Sequence, residues 1–554
     1  MSSQTNHRNT VTAIVLGALL VVDSTNAHED SAHDFVRRRN VALAQAQAQA
    51  EDPEQVDPDR DECQLTIVLV DTKTNTPLAG LVRITNLKTG KAIKLAGEIH
   101  RNLNWYALPA QRTVRVPQER LRIEAFHGIE TDRQVLEKDV SGTSRARVTL
   151  ELHRIYDPGE KGIFSGNTHL HLMKITYAEA HRYLRVVPEA DGLDLVFLSY
   201  LRRLVHGQHE HDYISNQILE NSLAGGGGEL QRLSQQGTLL ANGEEHRHNF
   251  KTGNGYGHVM LLDLVKLIRP VSIGSAIMGG DRTDGIPLQR GIRTARDDGG
   301  TVIWCHNNYG LEDVPNWMAG LVHAQNIHDG GRTTSYKDSF YKYLNLGLRV
   351  PFSTGTDWFI FDFSRVYVPL ARELTTKNWL AQLHAGKSYI TNGPFLEFSV
   401  NDSAIGDTVR LPAAATLRVS GQACGRSDFG GLELVHNGKV ISNTGSQPSQ
   451  RCYTAKMDLQ LEVNQPGWLA LRIPLETGNN EFGKQLYAHT SPVYIEVNGR
   501  RIFDRQVAQE LITEMDDNIR SIEKVGVFAN QEERTTVLNV HRQGIEILQE
   551  RLNR

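Results

Sequence analysis

The sequence predicts an α/β fold, in which a central domain of alternating strands and helices lies between two small β-sandwich domains and precedes a helical tail. Three observations predict it. Strand-like runs alternate with helix-length segments over residues 158–395. Short strands separated by turn residues fill residues 63–157 and 396–505. Apolar residues recur at spacings of three and four over residues 506–554, which is typical of amphipathic helices.

The bulk composition fits a soluble protein of several domains. The chain has 554 residues, and at about 150 residues per domain this length suggests three or four domains. Hydrophobic residues make up 39% and charged residues 22%, which is ordinary for folded proteins. The formal net charge of -4 provides no broad basic surface, so we expect no nucleic-acid partner. The 4 cysteines are too few for a disulfide scaffold, although one or two bridges are compatible with the sequence.

Residues 1–27 have the organisation of a signal peptide. Arg8 precedes the apolar run Val11–Val22, and small and polar residues lead to a cleavage point after Ala27. This run is shorter than the roughly 20 residues that a membrane-spanning helix needs. A buried or disordered N-terminal segment is the alternative. We therefore predict an exported protein, periplasmic or extracellular, with no stable membrane span and with a polar linker over residues 28–62.

The segment 63–157 has the alternation of half-buried strands. Leu65, Ile67 and Leu69 alternate with their neighbours, and similar runs recur between turn residues along the segment. The spacing predicts an N-terminal β-sandwich without a catalytic pattern. Segment 396–505 repeats this spacing and predicts a C-terminal β-sandwich.

The central segment 158–395 alternates apolar runs with helix-length stretches. We expect a largely parallel sheet, open or closed into a barrel. The predicted strands are Leu193–Leu198, Leu239–Ala241, Val259–Leu262, Thr301–Trp304 and Val350–Phe352, and the predicted helices are Ala178–Val187, Leu288–Asp297 and Asn378–Ala385.

Two histidines at the start of this segment are the first candidate metal ligands. His169 and His171 are two residues apart after a short apolar run, and on a strand residues i and i+2 point the same way. Both imidazoles could therefore reach one ion, whereas the alternative is two ordinary histidines in a chain that has 22. Glu245, His306 and Asp357 each follow another predicted strand, at the end where reactive groups lie in β/α barrels.

Three further patterns have simpler interpretations. Cys424 and Cys452 either pair as a disulfide in an exported protein or remain free thiols, and both alternatives stay open. Cys305 adjoins an apolar strand and is interpreted as a core residue. The glycines at 225–228 lack the flanking residues of a phosphate-binding loop and are interpreted as a flexible loop.

The tail 506–554 predicts two amphipathic helices. One apolar stripe runs from Val507 to Ile522 and the other from Val537 to Leu552. Each helix must bury one face, and we expect it to pack on its own chain rather than on a partner subunit. The sequence does not predict the oligomeric state.

Several motifs, taken in order, resemble one known family. Ser165-Gly166-Asn167-Thr168-His169-Leu170-His171 resembles the opening motif of the carbaryl-hydrolase-like (CehA/McbA) branch of the PHP-domain metallohydrolases. The run His384–Pro394 is the most specific single match, and the likeness covers about residues 63–505. Further motifs are similar to that family at Asp191–Asp194, Gly243–Glu245, Gly257-His258, Trp304–His306 and Ser353–Asp357.

The resemblance implies a distorted PHP-type β/α barrel that holds divalent metal ions and hydrolyses an ester, carbamate or phosphoester bond of a small-molecule substrate. Glu245 is preferred over Glu244 because it is second after Gly243, as in the family motif, and a carboxylate there can bridge two ions. Imidazole and carboxylate ligands suit Zn, Fe, Mn or Ni without distinguishing them. The implied metal ligands are His169, His171, Glu245, His258, His306 and Asp357.

The chain departs from the family pattern at two places. It has Ser199–Arg203 where the family usually carries Thr-Asp-His, and Asp357–Phe359 where the family usually ends on Asp-x-His. Both missing histidines tend to serve a third ion in fuller sites, so we expect one or two ions here. The histidines of His206–His211 are either replacement ligands or part of a solvated loop.

Arg202 and Arg203 stand where the family's missing ligands would lie. They are predicted to hold an anionic group of the substrate, and surface arginines are the alternative. The resemblance thus predicts an exported metal-dependent hydrolase that uses metal-activated water. The competing hypothesis is a non-catalytic binding or surface protein on a degenerate PHP-like barrel, because two histidines are missing and two sandwiches flank the domain.

Overall fold

The fold of the described residues is mixed α/β, with several sheets and a C-terminal helical tail, as the sequence predicts. The computed structural model describes residues 52–55, 61–202, 213–223, 228–234, 237–276, 282–306, 310–331 and 339–554. The predicted signal peptide, most of the predicted linker, Arg203, the whole of His206–His211 and the glycines at 225–227 lie outside these residues. In the described part of the chain, no helix is long and apolar enough to cross a membrane.

The first nine strands form two sheets that pack against each other. They are β1 (Glu62–Asp71), β2 (Thr76–Pro77), β3 (Gly80–Asn86), β4 (Ile99–His100), β5 (Tyr106–Leu108), β6 (Gln111–Pro117), β7 (Arg120–Phe126), β8 (Gln134–Asp139) and β9 (Arg145–Leu152). One sheet holds β2, β1, β6 and β9, and the other holds β4, β5, β3, β7 and β8. Side chains from both sheets, such as Leu65 and Ile123, share one core, so the arrangement is sandwich-like. Glu54 forms a bridge to Ile93, so part of the predicted linker pairs with this sandwich.

Eleven strands of the described chain make up the central sheet region. They are β10 (Ile163–His171), β11 (Leu195–Tyr200), β12 (Leu239–Phe250), β13 (Gly253–Leu262), β14 (Ser272–Ile273), β15 (Thr301–Cys305), β16 (Ala324–Asn326), β17 (Phe352–Ser353), β18 (Asp357–Trp358), β19 (Arg365–Pro369) and β20 (Tyr389–Thr391). Strands β10, β11 and β12 are parallel, and so are β15, β16 and β17. The chain then passes from β17 into β18, which pairs with β10. Through the chain connection between β17 and β18, the strands of this region therefore lead back to β10.

Strand β13 is the unexpected element of this region. It runs antiparallel to both β12 and β15, whereas most other pairs are parallel as expected. The sequence predicted only Leu239–Ala241 and Val259–Leu262 here, because the polar run at 244–249 has no apolar alternation. That run continues β12 to Phe250, since its polar side chains are buried against one another and against neighbouring strands. A long hairpin results, and it carries both Glu245 and His258.

Nine helices lie in the described parts of the chain, together with short 3₁₀ turns at Asn102–Asn104 and Asp329–Gly331. They are α1 (Tyr177–Ala190), α2 (Ile214–Leu223), α3 (Glu229–Ser234), α4 (Leu288–Asp297), α5 (Asp313–Met318), α6 (Ser339–Asn345), α7 (Thr376–His384), α8 (Arg505–Val525) and α9 (Gln531–Asn553). The predicted bounds match at α4 and differ by one to three residues at α1 and α7. Helix α1 begins at a capping box, in which Thr176 and Glu179 each accept a hydrogen bond from the other's backbone N–H.

The remaining eleven strands are divided between two sheets. They are β21 (Phe395–Val400), β22 (Ser403–Ala404), β23 (Thr408–Leu411), β24 (Ala415–Gly425), β25 (Gly431–His436), β26 (Lys439–Gly445), β27 (Gln447–Pro448), β28 (Tyr453–Val463), β29 (Gly467–Arg472), β30 (Ala488–Thr490) and β31 (Val493–Val497). Strands β22, β21, β24, β28 and β27 form their own sheet, whereas the others join the central sheet where β20 pairs with β30. One layer of the predicted second sandwich is thus continuous with the central sheet, because the motif His384–Pro394 contains β20.

The two tail helices pack on their own chain, as expected. Asp504 accepts hydrogen bonds at the start of α8, and Asn530 accepts one at the start of α9. Their apolar faces, including Met515 and Val537, share a core with Trp317 of α5. The apolar stripe that the sequence predicts is therefore the buried face of each helix.

Candidate metal centre

The six predicted ligands converge at one end of the central strands. Two come from β10, one each from β12, β13 and β18, and one directly follows β15. All six are largely removed from solvent, with exposed fractions of 0% for His169, 0% for His171, 2% for Glu245, 8% for His258, 4% for His306 and 3% for Asp357. Buried polar groups need partners, so this density of buried imidazoles and carboxylates is itself a sign of a binding centre.

The close approach of β10 and the segment before β18 depends on a glycine. A Cβ atom at Gly355 would collide with Cβ of His169. Thr168 and Thr356 donate backbone hydrogen bonds across the same junction, to Thr354 and His169. The run Thr354–Asp357 can therefore lie against β10 and bring its carboxylate to the histidine pair.

The first group of ligand atoms surrounds the His169–His171 pair. Nε2 of His169 lies 3.0 Å from Nε2 of His171. Oε2 of Glu245 lies 3.1 Å from Nε2 of His171 and 3.9 Å from Nε2 of His169. Oδ1 of Asp357 lies 3.5 Å from Nε2 of His169 and 3.7 Å from Nε2 of His171. Four ligand atoms therefore face one point, which is a sufficient set for a divalent ion.

The second group uses the other oxygen of the same carboxylate. Oε1 of Glu245 lies 2.9 Å from Nδ1 of His258 and 3.9 Å from Nε2 of His306. These three residues form a second set that could hold a metal ion. Glu245 thus lies between two sets of imidazoles, with one oxygen directed to each.

The hydrogen bonds behind the first group test whether a cation fits it. Nδ1 of His171 lies 3.0 Å from the carbonyl oxygen of Ser199, and Nδ1 of His169 lies 2.8 Å from Oδ2 of Asp329. Both partners only accept, so each Nδ1 carries the hydrogen and each neutral imidazole has its lone pair on Nε2. Two lone pairs then face each other beside the carboxylate of Glu245. This arrangement is stabilised by positive charge between its members, which a divalent ion could supply.

A proton can supply part of that charge, as the pKa of His169 indicates. Burial alone would lower this pKa, but the carboxylates of Asp329 and Asp357 outweigh burial and raise it to about 9. Burial would likewise raise the pKa of Asp329, but His169 and His306 hold it below its usual range. The cluster is therefore negative enough to attract a proton or a metal cation.

In the second group, burial has a larger effect on the pKa of His258 than the neighbouring carboxylate has. Burial lowers the pKa of His258 to about 3, against the opposing effect of Glu245. Burial would raise the pKa of Glu245, but the charge of Arg247 and contacts with His171 and His258 hold it well below its usual range. A neutral imidazole and an ionised carboxylate are the forms that bind metal ions.

Two residues of the centre were missed by the sequence reasoning. Asp329 lies beyond β16, whose three residues are too few and too polar to stand out as a strand. Its Oδ2 lies 2.8 Å from Nδ1 of His169 and 3.1 Å from Nδ1 of His306, and it also accepts a hydrogen bond from Asn326. Arg247 lies 3.7 Å from Oε1 of Glu245, and extending the period of two along β12 would have found it.

The predicted substrate-binding arginines are Arg202 and Arg203. Arg202 lies two residues beyond β11, and its backbone carbonyl accepts a hydrogen bond from Oγ of Ser272. Arg203 lies outside the described residues. Their role therefore stays a prediction.

Cys305 is fully buried, as expected of a core residue, yet its sulfur is close to the metal centre. It forms a group with His169, His306 and Asp329 in which the potential ligand atoms lie within 4.8 Å of one another. Burial, followed by the charges of Asp329 and Glu245, raises the pKa of this thiol well above its usual value. Without a bound cation it is therefore a neutral thiol at physiological pH.

Aromatic rings border the first group of ligands. The ring of Trp358 lies 5.0 Å from that of His171, and the ring of Tyr213 lies 5.6 Å from that of Trp358. Trp358 is only partly buried. It provides an apolar side to the centre, one residue before the position where the resemblance would have placed a histidine.

Comparisons with known proteins assign no family. No protein-family model and no curated protein matches the chain. One solved structure that it is compared with is a calcium-binding mutant of Bacteroides uniformis beta-glucuronidase 2, at 10% identity and a TM-score of 0.15. That comparison covers 76% of this chain and 58% of the other, so the chain spans less than two thirds of that protein's length. A TM-score this low carries no argument about fold or function.

Proposed function

We propose that this chain is a metal-dependent hydrolase in which two divalent ions share the carboxylate of Glu245. One observation carries the proposal: Oε2 of Glu245 is directed to His169 and His171, whereas Oε1 is directed to His258 and His306. A carboxylate can bridge two cations, and neutral imidazole cannot. Such a pair of neighbouring ions is the usual basis of two-metal hydrolysis.

Each ion position has its own residues. His169, His171, Asp357 and Oε2 of Glu245 would hold the first ion. His258, His306 and Oε1 of Glu245 would hold the second, which has fewer protein ligands and therefore more room for substrate. Imidazole and carboxylate donors suit Zn, Fe, Mn or Ni.

The protein's own groups then define the reaction. When bound, divalent ions polarise a carbonyl or phosphoryl oxygen and make water nucleophilic near neutral pH. Ser199 fixes the ring of His171 through its backbone carbonyl, and Asp329 fixes the ring of His169. Arg247 adds a positive charge beside Glu245, where an anionic group of the substrate could bind. The ring of Trp358 gives the substrate an apolar contact next to His171.

The assignment to a family is part of the same proposal. The order of motifs from Ser165 to Pro394 supports a CehA/McbA-like enzyme of the PHP type. Strand β10 pairs with β11 on one side and with the much later strand β18 on the other, which supports a distorted barrel. We propose a small-molecule substrate with an ester, carbamate or phosphoester bond, and export of the enzyme through its N-terminal segment.

Metal content and hydrolysis of simple substrates test the proposal. The purified protein should contain up to two equivalents of a transition metal by mass spectrometry, and it should hydrolyse nitrophenyl acetate or nitrophenyl phosphate. A chelator should remove activity, and added metal should restore it. His171→Ala should lose both metal and activity, whereas Glu244→Gln, on the opposite face of β12, should keep both. Stable protein without metal would overturn the proposal, and metal without hydrolysis of any ester would favour a binding protein instead.

A further inference from the structure

Two cysteines meet at one end of the neighbouring strands β24 and β28 in the sheet of β22, β21, β24, β28 and β27, here called the C-terminal sheet. Cys424 is near the end of β24, and Cys452 directly precedes β28, the strand that pairs with β24. Their sulfur atoms lie 3.4 Å apart. A disulfide bond is about 2.05 Å long, so a shift of about 1.3 Å along the line between the sulfurs would join them.

Both strand ends contact the N-terminal sandwich. Arg426, two residues after Cys424, donates hydrogen bonds to the carbonyls of Gly128 and Thr131. Its guanidinium also lies 4.2 Å from the ring centre of Phe126. The end of β24 therefore contacts the segment 126–132, which begins at the last residue of β7.

The second strand end reaches the same segment. Arg451, directly before Cys452, donates from Nη1 to Oδ2 of Asp132 at 2.9 Å. Cys424 itself lies against the N-terminal part of the chain, because its Sγ is 3.5 Å from the carbonyl oxygen of Ile155. The cysteine pair therefore sits between two arginines that hold the C-terminal sheet on the sandwich.

Solvent exposure distinguishes this pair of cysteines from the other two. Cys424 and Cys452 are partly exposed, whereas Cys63 and Cys305 are buried. Thiol–disulfide exchange requires that a reagent reach the sulfur. An oxidant in solution would therefore meet this pair first.

We propose that Cys424 and Cys452 form a disulfide that locks the joint between the C-terminal sheet and the N-terminal sandwich. The oxidant is a disulfide of low molecular weight or of an oxidoreductase. One thiolate attacks that disulfide, its first thiol leaves, and the second cysteine displaces the other thiol from the mixed disulfide. Overall the two cysteines lose two protons and two electrons, and the oxidant is released as two thiols.

The bond would hold the arginine-bearing ends of β24 and β28 in one position. The sheet already brings the two ends together, so the native geometry needs little adjustment. The bond instead removes states in which these ends separate and either arginine leaves segment 126–132. The oxidised protein should therefore resist opening of this joint more than the reduced protein does.

Thiol counting tests the proposal on the full chain. After incubation with oxidised and reduced glutathione, free thiols are blocked with an alkylating reagent in denaturant, and the intact mass is measured. We expect two blocked thiols in the oxidised protein and four in the reduced protein, with a cross-linked peptide that joins Cys424 to Cys452. Four blocked thiols at every glutathione ratio, a bridge through Cys63 or Cys305, or stable glutathione adducts would overturn it.

Stability and proteolysis test the locking role. The oxidised wild type should unfold at a higher temperature than its reduced form and should be cut more slowly near residues 426–451. Cys424→Ser should remove this difference between redox states, and Cys63→Ala should keep it. Equal melting and equal cutting of the oxidised and reduced wild type would overturn the lock even if the bond forms.

Discussion

Oδ2 of Asp329 lies 2.8 Å from Nδ1 of His169, although the two residues are 160 positions apart. The same oxygen lies 3.1 Å from Nδ1 of His306. His169 belongs to the first group of ligand atoms and His306 to the second. One carboxylate therefore orients a histidine of each proposed ion position.

We predict that Asp329→Asn weakens both ion positions together. The amide oxygen of asparagine carries no negative charge and accepts more weakly than a carboxylate, so both rings are held less firmly with Nε2 directed to the centre. Loss of such orienting partners typically costs about 10–100-fold in metal affinity or activity. Metal titration followed by hydrolysis assays measures the effect. Unchanged binding of both ions in Asp329→Asn would show that the carboxylate does not orient these rings.

Glu245→Gln should have a different effect from Glu244→Gln. The two side chains are adjacent on β12 and point to opposite faces, and both are fully or nearly fully buried. Glutamine keeps the volume of glutamate but has one oxygen, so it cannot bridge two cations. We expect Glu245→Gln to lose the second ion and most activity. Glu244, which accepts from His246 and Ile268 away from the centre, should tolerate the change in a metal assay.

The sequence predicts the fold where apolar residues recur at a regular spacing, and it does not where a short segment has polar residues without such a spacing. Helix α4 was predicted with its observed bounds because its apolar positions recur at helical spacing. The predicted strand is shorter than β12 because both buried faces of β12 beyond Gly243 carry polar residues, such as Glu244 and Arg247, whose types are usually found at the surface. The six candidate ligands came from a resemblance of motifs, whereas Asp329 sits on a turn after a three-residue strand. No periodic signal marks such a position.

Arg247→Met should separate charged from neutral substrates. The side chain of Arg247 is 8% exposed, its Nη1 lies 3.7 Å from Glu245, and its Nε has no hydrogen-bond partner among the described residues. It can therefore donate a hydrogen bond to an anionic ligand. We expect activity on nitrophenyl phosphate to fall by about tenfold or more, since hydrogen bonds to charged groups contribute about 1.5–3 kcal/mol. Activity on nitrophenyl acetate should change less, and an equal loss on both would assign Arg247 to structure alone.

Arg101→Ala should destabilise the joint between the sandwich and the central domain. Arg101 makes a two-pronged ion pair with Asp191, at 2.8 and 2.9 Å, with side-chain exposures of 4% and 0%. It also donates to the carbonyl of Ile360, three residues after Asp357. Removing one member of a buried pair leaves an uncompensated charge, at a cost of about 3–5 kcal/mol. Urea denaturation measures it.

The exposed pair of Arg520 and Asp517 provides the control. Its side chains are 66% and 61% exposed, so Arg520→Ala should change stability by less than about 1 kcal/mol. Similar effects of Arg101→Ala and Arg520→Ala would contradict a structural role for the buried pair.

His541→Leu should stabilise the tail, and more so in acid. His541 is fully buried in α9, and neither ring nitrogen has a hydrogen-bond partner among the described residues. Burial lowers its pKa to about 3 from an ordinary value of 6.5. Between these values the unfolded chain binds a proton that the folded chain does not, so stability falls as pH falls from about 6.5 towards 3. At pH 5 the free energy of unfolding is therefore about 2 kcal/mol lower than it would be if His541 had the same pKa in both states, because each pKa unit corresponds to about 1.36 kcal/mol.

Leucine fills a similar space, favours the helix and does not titrate, so both penalties disappear. The difference in unfolding free energy between His541→Leu and wild type should therefore be positive at pH 7 and should grow as the pH falls to 5. His323 provides a comparison, because burial, followed by the charges of His384 and Arg296, also lowers its pKa to about 3. Its Nδ1 accepts a hydrogen bond from the backbone N–H of Val302, so His323→Leu should lose that bond and destabilise at pH 7. A pH-independent difference for His541→Leu would show that His541 reaches solvent or a partner when the protein is folded.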